Sequence, residues 1–168
     1  MNQMPKAAFL DLIDRRLLML LQKDSRTSYS ELGSKVELST SAVNERVRKL
    51  FNENVITGCH ARVDPKTVGL EIGAFISVVI DTPNHNAAFL ERIRKLPEVL
   101  ECHHVTGEFS FVLKSLVRDT EHLELLLTEA IKSITGVTRT HTMIILSSPK
   151  DLPIVNCLHD SGRKTRGV

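Results

Sequence analysis

Residues 28–51 read SYSELGSKVELSTSAVNERVRKLF, and two helical periodicities lie back to back in this stretch. Ser28 and Glu31 have the Ser-x-x-Glu spacing of a capping box. Leu32 and Val36, four apart, give the short helix that follows one inward side, and Gly33 between them is small enough for another helix to cross closely. After Leu38, Ser39 is an N-cap for the next helix. Val43, Val47, Leu50 and Phe51 recur at spacings of four, three and one, so they predict its buried stripe. Ser41, Glu45, Arg48 and Lys49 fall on the opposite side, with Asn44 and Arg46 on the flanks. Upstream, Asp11 caps a helix with Asp14 in its first turn, near the positive end of the dipole. Ile13, Leu17, Leu20 and Leu21 form one apolar face of that helix. Three short helices, the last two joined tightly, predict a helix-turn-helix.

The outward side of the third helix carries the groups that read a duplex. Arginine bonds guanine O6 and N7 together, and asparagine does the same with adenine. Lysine and hydroxyl groups hold phosphates and fix register without reading sequence. Glu45 either accepts from cytosine N4 or pairs with Lys49 one turn on. The plain alternative is a solvated helix of mixed charge. The tight helix spacing favours DNA, as does a strand read at Ile56 to Val63, which resembles a wing. The expected DNA-contacting set is Ser39, Ser41, Asn44, Glu45, Arg46, Arg48 and Lys49. Charge agrees: residues 1–66 hold 11 basic against 8 acidic side chains, whereas residues 67–150 hold 8 against 10. The basic excess lies where an anionic partner is expected.

Past Asp64-Pro65 the pattern changes. Gly73 to Ile80 reads as a strand, Asn84 to Leu96 as a helix stopped before Pro97, and Val99 to Val105 as a strand. Phe109 to Val117 is the next strand, Asp119 caps a helix through Ile134, and Val137 to Leu146 is the last strand. The order is β-α-β-β-α-β, a ferredoxin-like unit. The fold class is α+β: an N-terminal winged helix-turn-helix followed by a C-terminal ferredoxin-like domain. The expected boundaries are 1–64, a linker at 65–72, the second domain at 73–150, and a tail at 151–168 without periodicity, read as flexible. The first strand of the second domain is apolar on both faces, Phe75 and Val79 against Ala74, Ile76, Val78 and Ile80. A sheet with helices on one side only leaves the other face to be covered, and a second subunit is the simplest cover.

Composition bounds the rest. The chain has 168 residues, 42% hydrophobic and 25% charged, as in an ordinary globular protein. No apolar run reaches the roughly 18 residues of a membrane span, and no signal peptide is read at the N-terminus, so a cytoplasmic protein is expected. Cys59, Cys102 and Cys157 are far apart and odd in number, which favours reduced thiols over a disulfide or zinc framework. No metal-ligand spacing, nucleophile motif or phosphate-cradling glycine loop occurs. No metal, no cofactor and no catalytic residue is expected.

These residues place the chain in a family. Leu10-Asp11 with Ile13-Asp14, the run Leu-Gln-Lys-Asp-Ser-Arg at 21–26, Glu31-Leu32, Leu38-Ser39, Arg46-Val47-Arg48-Lys49-Leu50 and Val55-Ile56-Thr57-Gly58 resemble the Lrp/AsnC, or feast/famine, transcriptional regulators. Glu101 to Phe109 and Thr140-His141-Thr142 resemble that family's second half. The resemblance covers about residues 9–150. It implies that the second domain binds a small-molecule effector, usually an amino acid. It also implies that dimers form through the sheets and assemble into tetramers or octamers, and that double-stranded DNA is the partner. The effector site it implies comprises Thr106, Gly107, Glu108, Phe109, Ser110, Thr140 and Thr142. Two departures stand out. Glu37 occupies the turn position where the family commonly has glycine, and Ser110 replaces an aspartate whose charge would neutralise an effector's ammonium group. The substitution implies an effector that is altered, weakly held or absent. Two other readings follow. One is an architectural DNA-binding protein without a ligand. The other is an enzyme similar to the siroheme decarboxylases, which share this fold and would draw on His103, His104 and His141.

Overall fold

The computed structural model describes residues 10–158. They form two compact units: residues 10–61 together with 151–158, and Arg62–Lys150.

The first unit has three helices, α1 (Leu12–Lys23), α2 (Tyr29–Val36) and α3 (Thr40–Asn52). Each starts on a side-chain cap. Asp11 and Asp14 form a reciprocal capping box at α1. The Ser28 hydroxyl accepts from the Glu31 N–H, and the Ser39 hydroxyl from the Ala42 N–H. Glu31 itself reaches forward to Lys35 at 2.7 Å. The core is built from the expected stripes: Leu17, Leu32, Val36, Val43 and Val47 are buried, with Ile13, Leu20 and Leu21 packed against them. Phe51, expected in that stripe, is 41% exposed. It lies well round the helix from Val43, Val47 and Leu50, and those three already fill the inward side. Glu37 ends α2 at φ 60°, ψ 42°. The left-handed turn is therefore made with a side chain present, at a cost of roughly 1 kcal/mol. Gly33 answers a different close approach from the one expected. A Cβ there would lie 2.5 Å from the Leu38 carbonyl oxygen, so the small residue admits the backbone of the turn itself.

The expected wing strand does not form. Residues 56–63 carry no strand hydrogen bonding; among the described residues the first unit has no second strand to pair with them. The expected flexible tail is also partly corrected. Val155 and Cys157 are hydrogen-bonded to α1, while the remainder of the tail, 159–168, lies outside the described residues.

The second unit has the expected β-α-β-β-α-β order: β1 (Ile72–Ile80), α4 (Asn86–Ile93), β2 (Val99–His104), β3 (Phe111–Val117), α5 (Thr120–Leu125) and β4 (Val137–Ile144). The sheet order is β2-β3-β1-β4, with every neighbouring pair antiparallel. The helix ending at Ile134 in the sequence reading differs in kind. After Leu125 it widens into a π-helical turn, Leu126–Ile131, which still turns Leu126 and Ile131 into the core. On the helix face of the sheet, Ala74, Ile76, Val78, Phe111, Leu113 and Val117 meet Phe89 and Ile93 of α4. The Phe89 and Phe111 rings lie 4.8 Å apart, and each buried ring contributes roughly 1.5–3 kcal/mol.

The opposite face is open. Phe75 pairs directly with Met143 across β1 and β4; they are 38% and 47% exposed. Val79, Val112 and Leu116 share that face by register.

Candidate nucleic-acid interface and effector turn

In α3 the side chains opposite the buried stripe are presented as expected. Ser39, Ser41, Asn44, Glu45, Arg48 and Lys49 are all exposed. The Ser39 and Ser41 hydroxyls are 3.0 Å apart and hydrogen-bonded, so the start of the helix offers a paired hydroxyl group beside its free N–H groups. Lys49 is paired with Glu53, not Glu45, at 3.9 Å. Both acids lie one turn away, and the downstream one is chosen. Glu45 is left facing solvent on the reading side.

Arg46 is half-buried, and its role differs from the expected one. One guanidinium nitrogen donates to the Asp11 carboxylate at 2.7 Å and to the Asp14 carboxylate at 2.8 Å. Arg46 therefore bolts one flank of α3 to the start of α1. The two carboxylates, Asp14 first, hold the guanidinium protonated more firmly than usual. The Asp14 N–H above all holds the Asp11 carboxyl below the ordinary aspartate range; burial opposes it, and Arg46 adds to the lowering. Asp11 thus does two jobs: it caps α1 and it anchors α3. Its second role left no local signal, because the partner is 35 residues away.

In the second unit, the expected effector residues fall on the turn between β2 and β3 and on the core side of β4. Gly107 turns the chain at φ 113°. Ser110 is tied in three ways: its N–H donates to the Val78 carbonyl, its carbonyl accepts from Val105, and its hydroxyl accepts from the Ile80 N–H at 3.0 Å. The side chain that replaces an acid therefore closes the end of β1. Glu108 forms an ion pair with Arg139 of β4, and Arg139 stands 5.4 Å over the Phe109 ring. His141 stacks on Phe109 from the same strand, with centroids 6.2 Å apart. Arg139 and His141, which lie against the turn, are outside the set expected from sequence, which has Thr140 and Thr142 on this strand. The alternation of a strand puts these two pairs on opposite faces. Thr140 and Thr142 pair with Val78 and Ile76 on the core side, half-buried.

The histidines do not converge. His103 and His141 lie at the two ends of one row across the open face, through Val112 and Ser77, roughly 14 Å apart at strand spacing. His104 is on the other face, stacked on Phe111. Among the described residues no group of three or more His, Cys, Asp or Glu side chains is placed to hold a metal ion.

Comparison with known proteins now decides the family. The model for the AsnC-type helix-turn-helix domain matches residues 10–50. The model for the Lrp/AsnC ligand binding domain matches residues 73–155. Regulatory protein AsnC of Escherichia coli strain K12 is 31% identical over 140 residues, which is 83% of this chain and 92% of the relative. The chain belongs to the Lrp/AsnC family. The HTH-type transcriptional regulator FL11 of Pyrococcus abyssi is 35% identical over 148 residues, 86% of this chain and 97% of its own. Among solved structures, E. coli AsnC is similar with a TM-score of 0.80 at 30% identity, covering 85% of this chain and 96% of its own. The complex of transcriptional regulator NMB0573 with L-Met from Neisseria meningitidis has a TM-score of 0.86 at 28% identity, covering 89% and 98%. This Lrp/AsnC chain is a transcriptional regulator, with a helix-turn-helix unit followed by a ligand-binding unit.

The anchor at α1 gives a measurable pH dependence. The folded Asp11 carboxyl is depressed, so the unfolded chain takes up that proton first. Stability from Asp11 is fully present above the unfolded value near pH 4 and is lost as pH falls through the lower folded value. Thermal unfolding of Asp11→Asn from pH 2 to 7 is expected to show a lower Tm at neutral pH and a shallower acid limb than the parent. Identical acid limbs would remove the anchor from the account. Arg46→Gln is expected to destabilise by about 1–2 kcal/mol at neutral pH.

Proposed function

We propose that this regulator binds double-stranded DNA sequence-specifically by laying α3 in the major groove. In this reading Arg48 and Asn44 read base edges. Ser39, Ser41 and Lys49 hold phosphates, and Glu45 accepts from a cytosine amine. The observation that carries the proposal is the outward side of α3. It is capped, exposed and rich in guanidinium, amide and hydroxyl groups, on a helix whose flank is fixed by Arg46. No catalytic step is assigned to the chain: its relatives are transcriptional regulators. The site of action is the cytoplasm, where its DNA partner lies. No helix among the described residues is long and apolar enough to cross a membrane. Arg48→Ala is expected to relax base preference at one position, with a loss of about 1–3 kcal/mol on the preferred site. Lys49→Ala is expected to weaken all sequences alike and to lower the salt slope by about one. Competition binding with matched and mismatched duplexes reads both. An Arg48→Ala protein with unchanged preference would refute the assignment of the reading face.

The effector is a small zwitterion of the amino-acid class, held at Thr106 to Ser110 with Thr140 and Thr142. The neighbouring NMB0573 structure contains L-Met, and here Glu108 and Arg139 supply one charge of each sign. Both are well exposed, so their pair opens at little cost around an ammonium and a carboxylate. One observation favours a ligand-independent, architectural reading: the Ser110 hydroxyl is already engaged by Ile80 and brings no charge. Calorimetric titration with the common amino acids separates the two. Binding that disappears in Arg139→Gln supports the effector. Absence of heat and of any thermal shift across the set supports the architectural reading.

The open sheet face forms the homodimer contact, from which tetramers or octamers assemble. Phe75 and Met143 lie at its centre, where an uncovered apolar patch is costly. Phe75→Lys is expected to shift sedimentation toward monomer while circular dichroism stays unchanged. A folded variant with the parent's mass distribution would rule out that face.

A further inference from the structure

The chain passes between its two units twice. Residues 57–71 run from the end of α3 to β1, and residues 146–154 run from the end of β4 to a segment held on α1. Both connections leave the second unit at one place, because the Ile145 N–H donates to the Gly73 carbonyl at 2.8 Å. They reach the first unit on two different helices. The first is tied to the end of α3, where the Val55 and Ile56 N–H groups donate to the Leu50 carbonyl at 2.9 and 3.1 Å. The second is tied to α1. Arg15, Met19 and Gln22 recur there at four and three, a stripe opposite the inward Ile13, Leu17 and Leu20. The Gln22 amide accepts from the Val155 N–H at 2.7 Å, and its nitrogen donates to the Val155 carbonyl at 3.0 Å and to the Cys157 sulfur at 3.2 Å. Arg15 donates to the Cys157 carbonyl at 2.8 Å, and the Cys157 N–H donates to the Met19 sulfur at 3.4 Å. Residues 151–156 are exposed and belong to no helix or strand, so side chains of α1 hold this segment, not a backbone ladder.

The second connection limits what the first allows. A free tether as long as residues 57–71 has an end-to-end span of roughly 20 Å, which is about six base pairs at about 3.4 Å each. Alone, it would let the DNA-binding units of a dimer accept half-sites at many separations. Residues 146–154 span at most about 32 Å, start beside the first tether and end on another helix, so together the two remove much of that freedom. The α1 stripe is not part of the reading side of α3, so the segment acts on orientation and not on base contacts. We propose that residues 146–157 are a strap, latched on α1 by Gln22 and Arg15, that sets the separation at which a dimer accepts its two half-sites. The proposal rests on the readings that α3 binds a DNA duplex and that the chain pairs with a second copy. Half-site sequence then belongs to α3, and half-site spacing to the strap. Freedom removed in the unbound protein also lowers the ordering cost of binding.

The test uses the full chain and two variants that open the latch from opposite sides. Gln22→Ala removes the gripping amide, and Val155→Pro removes the N–H it accepts from while leaving α1 intact. Opening is read without DNA as the rate at which a thiol reagent labels Cys157, followed by mass spectrometry of its peptide. Both variants are expected to raise that rate by about fivefold or more with circular dichroism unchanged. Spacing is read by selecting bound sites from a pool of random duplexes with each protein. The parent is expected to enrich paired half-sites at one separation, within about one base pair of a helical turn or its multiple. The variants are expected to enrich the same half-site sequence over a broad range of separations. Faster labelling with the parent's single separation retained overturns the strap's role in spacing. Unchanged labelling in both folded variants overturns the latch. A parent that enriches no sequence overturns the DNA reading, and one that enriches only lone half-sites overturns the paired binding; each takes the strap's role with it and is seen in the parent's pool alone.

Discussion

The guanidinium of Arg46, held between the carboxylates of Asp11 and Asp14, fixes the part of this protein that meets DNA. A recognition helix is useful only if its orientation is set, and apolar contacts alone tolerate small rotations. The charged bond removes that freedom on one flank, because Asp14 is mostly buried and its charge has few other partners. Asp11 adds economy of design: one carboxylate caps α1 and receives α3. Charge-assisted bonds of this kind are shorter and stronger than neutral ones. The consequence is that Arg48 and Lys49, two and three residues further along α3, project from a base held on one flank.

A second constraint governs the other unit. The β1 strand is central in the sheet and apolar on both faces, so helices can satisfy only one of them. Its far end is closed by Ser110, whose hydroxyl completes the backbone bonding of Ile80. The Glu108–Arg139 pair and the Phe109 ring sit on that closed end. The charges that would meet a ligand are therefore attached to the end of the same strand whose open face would meet another subunit. Arg139 belongs to β4, which pairs with β1 from Ala74 to Ile80.

Much of this was legible from local chemistry. Ser28, Ser39, Asp11 and Asp119 cap helices because each precedes an apolar repeat. Leu17, Val36, Val43 and Val47 are buried because their spacing matches the helical turn. The left-handed Glu37 follows from the tight join between two helices. What sequence could not show depends on partners distant in the chain. Arg46 sits on a helix flank that reads equally well as solvent or groove, and only Asp11 and Asp14 decide it. Lys49 had acids one turn away on both sides, and the spacing rule does not choose between them. Residues 56–63 have strand composition, but a strand needs a partner, and the described residues of that unit offer none. Residues 155–157 show no periodicity because they are held by side chain–backbone bonds to Gln22 and Arg15. On β4, Arg139 and His141 meet the Glu108–Phe109 turn on the face opposite Thr140 and Thr142, a contact that strand composition alone does not show.

The central claim is that α3 reads sequence from a fixed base. Selection of bound sites from a pool of random duplexes tests it most directly. The account predicts enrichment of an inverted repeat of short half-sites about 10 base pairs apart, lost when Arg48 is replaced and kept when Lys49 is. Salt-sensitive binding to the whole pool with no enriched sequence would contradict it, and would leave a protein that holds DNA without reading it.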